Sequence, residues 1–323
     1  MRIAVTGSIA TDHLMTFPGR FTDQLVAGKI ESVSLSFLVD ALEIRRGGIA
    51  ANIAFGMACL GLRPVLVGAV GPDFAEYRSW LERRGVDTAS VHVCELKHTA
   101  RFLCTTDIDQ NQIASFYAGA MSEARNIELG PVADRHGGLD LVVISPNDPT
   151  AMLRHTAECL AREIPFAADP SQQLARMDGE EIRKLVDGAS YLFTNEYETA
   201  LTEHKTGWSH DEVLSRVGTR ITTMGPKGAR VDRAGEPSLT IPAVAVERPA
   251  DPTGGGDAFR AGFLTALAWG LSLERAAQLG NMIAVHALET VGPQEYELDR
   301  GRLLDRFAAV YGDHATAEIA AHL

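Results

Sequence analysis

The sequence contains few cysteines, and their spacing argues against zinc binding and dithiol chemistry. Only 4 of its 323 residues are cysteine, and no two of them form a C-x-x-C pair. Cys59 and Cys104 lie within apolar runs, where a cysteine behaves as a small hydrophobic residue. We therefore expect reduced cysteines in the core and no zinc or redox motif.

Positive charge is also scarce, because the formal net charge at pH 7 is −12. A protein that binds nucleic acid in general needs a basic face to neutralise the phosphates. We therefore expect no nucleic-acid partner. A single nucleotide ligand is not excluded, since it needs only a local anion-binding site.

No apolar run is long enough to form a transmembrane helix, which needs about 20 residues. Residues 1–5 lead directly into a strand pattern, and the sequence becomes polar too early for a signal peptide. With 46% apolar residues, the chain can nonetheless build a large core. We expect a soluble, cytoplasmic protein with no membrane partner.

Two common nucleotide-binding motifs are missing as well. The chain contains neither G-x-G-x-x-G nor G-x-x-x-x-G-K-[ST]. The first motif binds dinucleotides in a Rossmann unit, and the second cradles phosphates in P-loop enzymes. A dinucleotide-dependent oxidoreductase and a P-loop enzyme are therefore not expected.

Apolar strand-like runs alternate with helical patterns along most of the chain. Strands are predicted at residues 2–7, 64–70, 139–145, 166–169, 191–194 and 220–225. Helices are predicted at residues 47–60, 74–84, 150–162 and 179–185, from Asp257 to about residue 271, and after Asp299. This alternation predicts an α/β fold in three layers, with helices on both faces of a mostly parallel sheet.

Two regions interrupt the alternation, at about residues 12–46 and 99–118. Both contain stretches with the period of a strand that has one solvated face, namely residues 31–37, 99–105 and 112–117. We expect a small β-strand lid inserted into a single α/β domain that spans residues 1–323. An antiparallel extension of the main sheet is the alternative.

A glycine-rich segment, Asp-Pro-Thr-Gly-Gly-Gly-Asp at residues 251–257, precedes an apolar helix pattern. Gly254, Gly255 and Gly256 leave backbone N–H groups accessible, and a helix start concentrates unpaired donors and partial positive charge. The segment therefore predicts an anion hole for phosphate. Asp257, which we expect to open the helix, could accept the proton of an attacking hydroxyl. A flexible loop with Asp257 as the helix N-cap is the alternative.

Polar residues near the start of the chain predict a site for hydroxyl groups. Asp12 follows the first predicted strand, where ligands of open α/β sheets bind, and Ser8 lies nearby. Gly48 lies in a Gly-Gly turn before a helix and permits close approach of a ligand, while Asn52 presents an amide. The alternatives are a solvated loop carboxylate for Asp12 and a structural turn for Gly48.

Two further motifs follow predicted strands. Asn195 and Glu198 share one face of a starting helix, where they could hold Mg²⁺ through waters. The turn at residues 225–228 follows a strand that carries Thr223, and its backbone could cradle the phosphates of ATP. Taken singly, the first motif is a helix cap and the second is a turn. Their order along one α/β chain favours a phosphoryl-transfer enzyme.

In these motifs the chain resembles the ribokinase-like (PfkB) family of carbohydrate and nucleoside kinases, over nearly its whole length. The resemblance implies a ribokinase-like fold, with Asp257 as general base and the N–H groups of residues 254–257 as the anion hole. It also implies roles for the other predicted residues. The sugar hydroxyls would be bound by Asp12, Gly48 and Asn52, Mg²⁺ would be placed by Asn195 and Glu198, and ATP would lie along Asn195, Thr223, Gly225, Lys227 and Gly228.

Within this family, the chain most resembles bacterial adenosine kinases of the actinobacterial type. The likeness lies in residues 4–14, 34–39, 112–117 and 168–176. It implies ATP-dependent phosphorylation of the 5′-hydroxyl of adenosine, a step of purine salvage, and it adds Ser8 and Ser36 to the substrate site. Ribose, fructose and other nucleosides are the alternative substrates, and a sensor without catalysis is a further alternative that an intact Asp257 argues against.

Four other residues fit a purine base. Phe102 and Phe116, in the predicted lid strands, could sandwich a flat ring, although packing within the lid is the alternative. Gln172 and Gln173 offer donors and acceptors to the edges of adenine. The exposed lid face also suggests a homodimer, and activation by K⁺ near residues 251–253 is left open.

The chain departs from the family pattern at two places. Gly255 stands where many members carry alanine, a change that leaves the backbone N–H intact. Ser171 and Gln173 stand where many phosphosugar kinases carry Asn and Arg. The second departure argues against a phosphofructokinase, because a cation should meet the phosphate already present on that substrate.

Overall fold

The structure is a computed structural model that describes residues 1–24 and 35–323. Within these ranges the strands are β1 (Ile3–Thr6), β2 (Ala10–Thr16), β3 (Ala41–Gly47), β4 (Val65–Val70), β5 (Val91–Val93), β6 (Ala100–Thr106), β7 (Gln112–Tyr117), β8 (Leu141–Ile144), β9 (Phe166–Ala168), β10 (Tyr191–Asn195), β11 (Thr219–Thr223), β12 (Ala229–Asp232) and β13 (Leu239–Ile241). These strands form two sheets, one large and one small.

The large sheet has the strand order β13-β12-β11-β10-β9-β8-β1-β4-β5. The strands from β11 to β5 run parallel, and β12 and β13 add an antiparallel end. Strands β1, β4 and β8 are buried along their whole length, as expected where helices cover both faces of a parallel sheet. The expectation of a mostly parallel α/β sheet is confirmed.

The helices lie on both faces of the large sheet. They are α1 (Ile49–Cys59), α2 (Ala75–Arg84), α3 (Leu129–His136), α4 (Pro149–Ala161), α5 (Gly179–Val186), α6 (Glu196–Thr206), α7 (His210–Arg216), α8 (Gly255–Ala268), α9 (Leu273–Leu288) and α10 (Arg300–Ala320). Ile3 and Val5 of β1 pack in one core cluster with α1, α8 and α9, whereas Ala4 packs in a second cluster with residues of α3, α4 and α5. No helix within the described ranges is long and apolar enough to cross a membrane.

The small sheet has the order β3-β2-β6-β7 and is separate from the large one. Strands β2 and β6 run parallel, while the other two pairs are antiparallel. This architecture matches the inserted β-strands expected from the sequence and excludes a mere extension of the main sheet. The alternating stretch expected at residues 31–37 lies mostly outside the described residues.

The register of the small sheet places three functional candidates in one row with Arg45. Arg45 is paired with Asp12, Asp12 with Phe102, and Phe102 with Phe116. Directly opposed residues point to the same face of a sheet, so this row projects from one face. Strand β2 begins four residues after β1 ends, which carries the small sheet to the carboxyl edge of the large one.

Three local expectations are wrong in detail. Asp12 lies within strand β2 and not in a loop after the first strand, because residues 10–16 pair with β3 and β6. Gly47 ends strand β3, so helix α1 begins at Ile49. Helix α8 begins at Gly255 and ends at Ala268, so Asp257 lies inside its first turn and is neither its first residue nor its N-cap.

Candidate active site

A cavity of about 190 Å³ lies at the carboxyl edge of the large sheet, where β1 stands between β4 and β8. The strand order reverses at β1, and such a point is where open α/β sheets bind ligands. The residues that line this central cavity come from the small sheet, from α1 and α8, and from the segments between these elements; they are Ser8, Ala10, Asp12, Gly48, Ile49, Asn52, Phe116, Met121, Pro146, Gln172, Gln173, Thr253 and Asp257. The structure thus brings together residues predicted from five separate parts of the sequence.

The start of helix α8 has the features of an anion site. Gly254 is the N-cap residue with φ of 80°, a left-handed conformation that favours glycine, and no side chain caps the helix. A Cβ at Gly254 would lie 2.5 Å from Cβ of Pro293, so the position also lacks room for a side chain. The N–H groups of the first turn are therefore not satisfied by a side-chain cap and point toward the edge where Asp257 lies.

Asp257 lines the central cavity and accepts a hydrogen bond from Asn52, whose Nδ2 lies 2.8 Å from Oδ2. Burial raises the pKa of Asp257 to about 6, against the opposing effects of the Arg260 guanidinium and the Asn52 amide. A carboxylate with this pKa is mostly ionised at neutral pH. It can then accept a proton from a hydroxyl in the cavity.

Asp12 lies on the opposite wall of the central cavity. Burial raises its pKa to about 6, an effect that the Arg45 guanidinium opposes and the Asp251 carboxylate enhances. Arg45 also approaches Asp251, with Nη1 lying 3.4 Å from Oδ2. The two carboxyl groups of the cavity, Asp12 and Asp257, thus have similar pKa values but different neighbours.

Ser8 and Gly48 shape the start of helix α1. The Ser8 hydroxyl accepts a hydrogen bond from the N–H of Ile49 at 3.0 Å, and its carbonyl accepts one from Ala50. Gly48 has φ of 93°, and a Cβ there would lie 2.6 Å from both the Ser8 oxygen and the Ala10 nitrogen. Glycine is therefore required at position 48 by the backbone. Ser36, by contrast, is exposed and lies outside the set of described residues that line the cavity.

The aromatic and amide candidates are only partly arranged as expected. Phe116 is half exposed and lines the central cavity. Phe102 is its cross-strand partner and points to the same face of the small sheet, but it is not among the described residues that line the cavity. The two rings therefore do not face each other across a ligand. Gln173 is buried and donates from Nε2 to the Asn147 carbonyl at 2.7 Å, and its Oε1 has no hydrogen-bond partner in the described part of the chain. Gln172 is exposed at the rim.

A second cavity of about 500 Å³ lies beside the turn at residues 225–228. It includes Gly225 and is otherwise lined mostly by residues that the sequence did not single out: Pro226, Ala243, Val244, Ala245, Val246, Asn281, Ala284, Val285 and Leu288. These residues are mostly apolar, and in sequence they are indistinguishable from core. Thr223 ends strand β11 nearby, Gly228 follows the turn with φ of 100°, and the exposed Lys227 pairs with Glu196 at 3.3 Å.

Asn195 and Glu198 form a capping box at the start of α6. The Asn195 side chain accepts from the Glu198 N–H, and Oε2 of Glu198 accepts from the Asn195 N–H, each at 2.8 Å. Oε1 of Glu198 also accepts from the Ser171 hydroxyl at 3.3 Å. Within the described ranges, no cluster of three or more His, Cys, Asp or Glu could hold a metal by itself. The pair is therefore a helix cap whose remaining lone pairs are open to water.

Known proteins share this architecture. The sequence pattern described as pfkB family carbohydrate kinase matches residues 6–299. The nucleoside kinase of Methanothermobacter thermautotrophicus is 34% identical over 280 residues, which cover 82% of this chain and 85% of that protein. The nucleoside kinase of Methanocaldococcus jannaschii is 30% identical over 250 residues, covering 77% and 80% respectively.

A solved structure agrees with the sequence relatives. Nucleoside kinase from Burkholderia thailandensis, in complex with inosine, superposes with a TM-score of 0.84 at 35% identity, covering 96% of this chain and 99% of that one. This match confirms the expected ribokinase-like α/β class. The relatives are nucleoside kinases, a broader class than the adenosine kinases expected from the sequence. The chain belongs to the pfkB family of carbohydrate kinases and is a phosphotransferase.

Proposed function

We propose that the protein transfers the γ-phosphoryl group of ATP to the 5′-hydroxyl of a purine nucleoside, with adenosine as the substrate expected from the sequence. One observation carries this proposal. Asp257 lies in the first turn of α8, beside the N–H groups of the uncapped helix start, and lines the cavity together with Asn52. A base and an anion hole at one point are what transfer to a hydroxyl needs.

In the proposed reaction, Asp257 accepts the proton of the 5′-hydroxyl while the oxygen attacks the γ-phosphorus. A bond forms between that oxygen and phosphorus, and the bond to the β–γ bridging oxygen breaks, leaving ADP. The N–H groups of residues 254–257 stabilise the charge on the transferring group. Asp12, Gly48 and Asn52 hold the ribose, with Ser8 and Ser36 as additional contacts.

The base of the nucleoside is assigned to the wall formed by Phe116 and Phe102. Gln172 and Gln173 would bond its edge, and the partnerless Oε1 of Gln173 calls for a donor on the ligand. The Burkholderia relative binds inosine, so inosine is the second candidate. Other nucleosides and free sugars are the remaining alternatives, because the ribokinase of Bacillus subtilis is also 28% identical over 297 residues.

ATP is assigned to the second cavity and the turn next to it. The apolar lining suits an adenine ring, and the turn at residues 225–228 with Thr223 and Asn195 lies along the phosphates. The same Burkholderia enzyme has been solved with ADP-inosine, which supports a nucleotide co-substrate. Mg²⁺ would be held through waters by Asn195 and Glu198, whose oxygens suit it, and when bound it neutralises phosphate charge. Activation by K⁺ near Asp251 stays a hypothesis.

The small sheet is assigned the role of a lid on a single kinase domain of residues 1–323, excluding water when closed. Its outward face carries the exposed apolar residues Leu42 and Ile113. They lie at the two ends of a row of paired residues, with the half-buried Met15 and the buried Thr105 between them. We assign this face to a homodimer. Sedimentation of the wild type and of Leu42→Glu tests the assignment, and a monomeric wild type would contradict it.

The substrate is tested by a coupled assay of ATP consumption with adenosine, inosine, guanosine, ribose and fructose, each with and without K⁺. We expect the highest kcat/KM on a purine nucleoside and the formation of its 5′-monophosphate. Asp257→Asn serves as the matched inactive control, because it keeps the shape of the side chain. Highest turnover on a free sugar would contradict the nucleoside assignment.

A further inference from the structure

The hydrogen bond between Asn52 and Asp257 depends on how the Asn52 amide is turned. With Nδ2 toward Asp257 the amide donates to the carboxylate, and with Oδ1 toward it two acceptors would oppose each other. The helix backbone does not decide between these two orientations. The decision falls to whatever contacts the other end of the amide.

That contact is Gln294, which lies in the segment after α9. Its Nε2 donates to Oδ1 of Asn52 at 2.9 Å, and it also donates to the hydroxyl of Tyr77. Tyr77, on helix α2, donates in turn to the carbonyl of Gly47 at 2.9 Å. A chain of hydrogen bonds therefore runs from the end of strand β3 to Asp257.

The Gly47 carbonyl determines which group donates and which accepts in every hydrogen bond of this series. The Gly47 carbonyl can only accept, so the Tyr77 hydroxyl must donate to it and use a lone pair toward Gln294. Gln294 must then present its NH₂ group to both Tyr77 and Asn52. Asn52 receives that donor at Oδ1 and turns its own NH₂ group toward Asp257.

The side chains in this series of hydrogen bonds are almost completely buried. Gln294 is 0% exposed, Tyr77 is 5% exposed and Asn52 is 6% exposed, so no solvent can substitute for a lost partner. Oε1 of Gln294 has no hydrogen-bond partner among the described residues. An unsatisfied buried acceptor costs stability, and an apolar side chain of similar shape would avoid that cost. Stability alone therefore does not explain a glutamine here.

We propose that Gln294 is a positioning residue, which orients the Asn52 amide so that Asp257 is held ionised with Oδ1 free for the substrate hydroxyl. Tyr77 fixes the orientation of Gln294 by linking it to Gly47. This inference rests on the proposed function, because it presupposes Asp257 as the base. It adds two residues that no motif in the sequence indicated.

Other charged and titratable groups lie around Asp257. Arg260 follows it by one turn on α8, Asp169 pairs with Arg260 from the end of β9, and the Tyr296 phenol lies near it. Asp12 lines the same cavity from β2. The two test variants therefore leave all four of these groups in place.

The test measures kcat as a function of pH for Gln294→Met and Tyr77→Phe. Both substitutions keep the shape of the side chain and remove the hydrogen-bonding group. Without its orienting partner, the Asn52 amide no longer favours the ionised form of Asp257. We therefore expect the acid limb of the kcat–pH profile to move to higher pH by about one unit. Turnover at pH 6 should then fall about fivefold, and turnover at pH 9 should fall much less.

Tyr296→Phe is the matched control, since the Tyr296 hydroxyl is buried without a partner among the described residues. Its acid limb should stay at the wild-type position. A purely structural role for Gln294 would lower kcat equally at every pH, and an unmoved limb in both test variants would overturn the inference. If Gln294→Met does not fold, Tyr77→Phe decides the question alone. Wild-type turnover in Asp257→Asn would instead refute the proposed base, which separates the two failures.

Discussion

Arg260 donates from Nη2 to Oδ1 of Asp169 at 2.6 Å, and both side chains are almost completely buried. Oδ2 of Asp169 and Nε of Arg260 have no hydrogen-bond partner among the described residues. Burial raises the pKa of Asp169 to about 7, while the Arg260 guanidinium opposes this rise. The pair lies beneath the first turn of α8 and couples the helix that carries Asp257 to strand β9.

Removing one member of this pair should destabilise the protein more than removing both. Arg260→Met leaves the Asp169 carboxyl alone in the core, and Asp169→Asn leaves an unpaired guanidinium, so each should cost about 3–5 kcal/mol. The double variant should recover much of this loss, because neither member of the pair is then left charged without the other. Urea unfolding at pH 7.5 measures all three. Glu180→Gln, which removes an exposed ion pair with Lys184, should leave the free energy of unfolding nearly unchanged. A double variant that is destabilised by the sum of the two single losses would contradict the prediction.

The activity should fall in acid because Asp257 must be ionised to act as a base. Its pKa of about 6 places the acid limb of kcat/KM near pH 6, with activity decreasing below that value. The pKa of Asp12 is also raised to about 6, and Asp12 is proposed to bind the ribose. The Asp12→Asn variant should therefore keep the acid limb of the kcat/KM profile but have a lower kcat/KM at every pH. The coupled assay between pH 5 and 9 measures this. A limb that disappears in Asp12→Asn would assign it to Asp12 instead.

The same pKa also predicts how stability changes with pH. Because burial raises the pKa of Asp257 above its ordinary value of 3.8, the folded state binds more protons than the unfolded state between about pH 4 and 6. Its contribution to stability is thus lost as pH rises through this window. Asp257→Asn should be more stable than wild type by about 3 kcal/mol at pH 7.5 and nearly equal to it at pH 4. Thermal unfolding at both pH values measures this, with Asp313→Asn on the surface as control.

The alternation of the main sheet could be predicted because parallel strands buried on both faces leave continuous apolar runs in the sequence. The start of α8 could be predicted because consecutive glycines before an apolar helix pattern have a specific conformational meaning. Asp12 was wrongly predicted to lie in a loop, because strand β2 contains few apolar residues and is defined by its pairing with β3 and β6. Pairing partners are distant in sequence and leave no local pattern.

Other parts of the site could not be predicted for related reasons. Gln294 and Tyr77 meet Asn52 only after α1, α2 and the segment following α9 have packed together. The apolar residues of the second cavity look like core until the fold leaves a space beside them. The sandwich expected from Phe102 and Phe116 failed because the hairpin register, which their types do not encode, sets them side by side.

Gly48, which precedes helix α1, should tolerate no side chain. Gly61, which follows the other end of α1, provides a matched control. Both residues have positive φ, 93° at Gly48 and 86° at Gly61, but only Gly48 has backbone atoms where a Cβ would lie. Gly61→Ala should cost about 1–2 kcal/mol for the left-handed conformation alone. Gly48→Ala adds the overlap with Ser8 and Ala10, so we expect a cost of about 3 kcal/mol or more, together with a raised KM for the nucleoside. If Gly48→Ala and Gly61→Ala lower the free energy of unfolding equally in urea, the backbone around Gly48 has moved to make room for the methyl group, and the prediction is wrong.

Phe116 should contribute to nucleoside binding, whereas its chain neighbour Tyr117 should not. The two side chains point to opposite faces of the small sheet, and only Phe116 lines the central cavity. Loss of a ring that stacks on a base costs about 1–3 kcal/mol, so Phe116→Ala should raise KM for adenosine or inosine about tenfold or more. Tyr117→Ala removes a comparable exposed ring and should leave KM unchanged. Ribose has no base to stack, so any turnover on ribose should be equal in the wild type and Phe116→Ala. A KM for the nucleoside that is unaltered in Phe116→Ala would place the base elsewhere in the cavity.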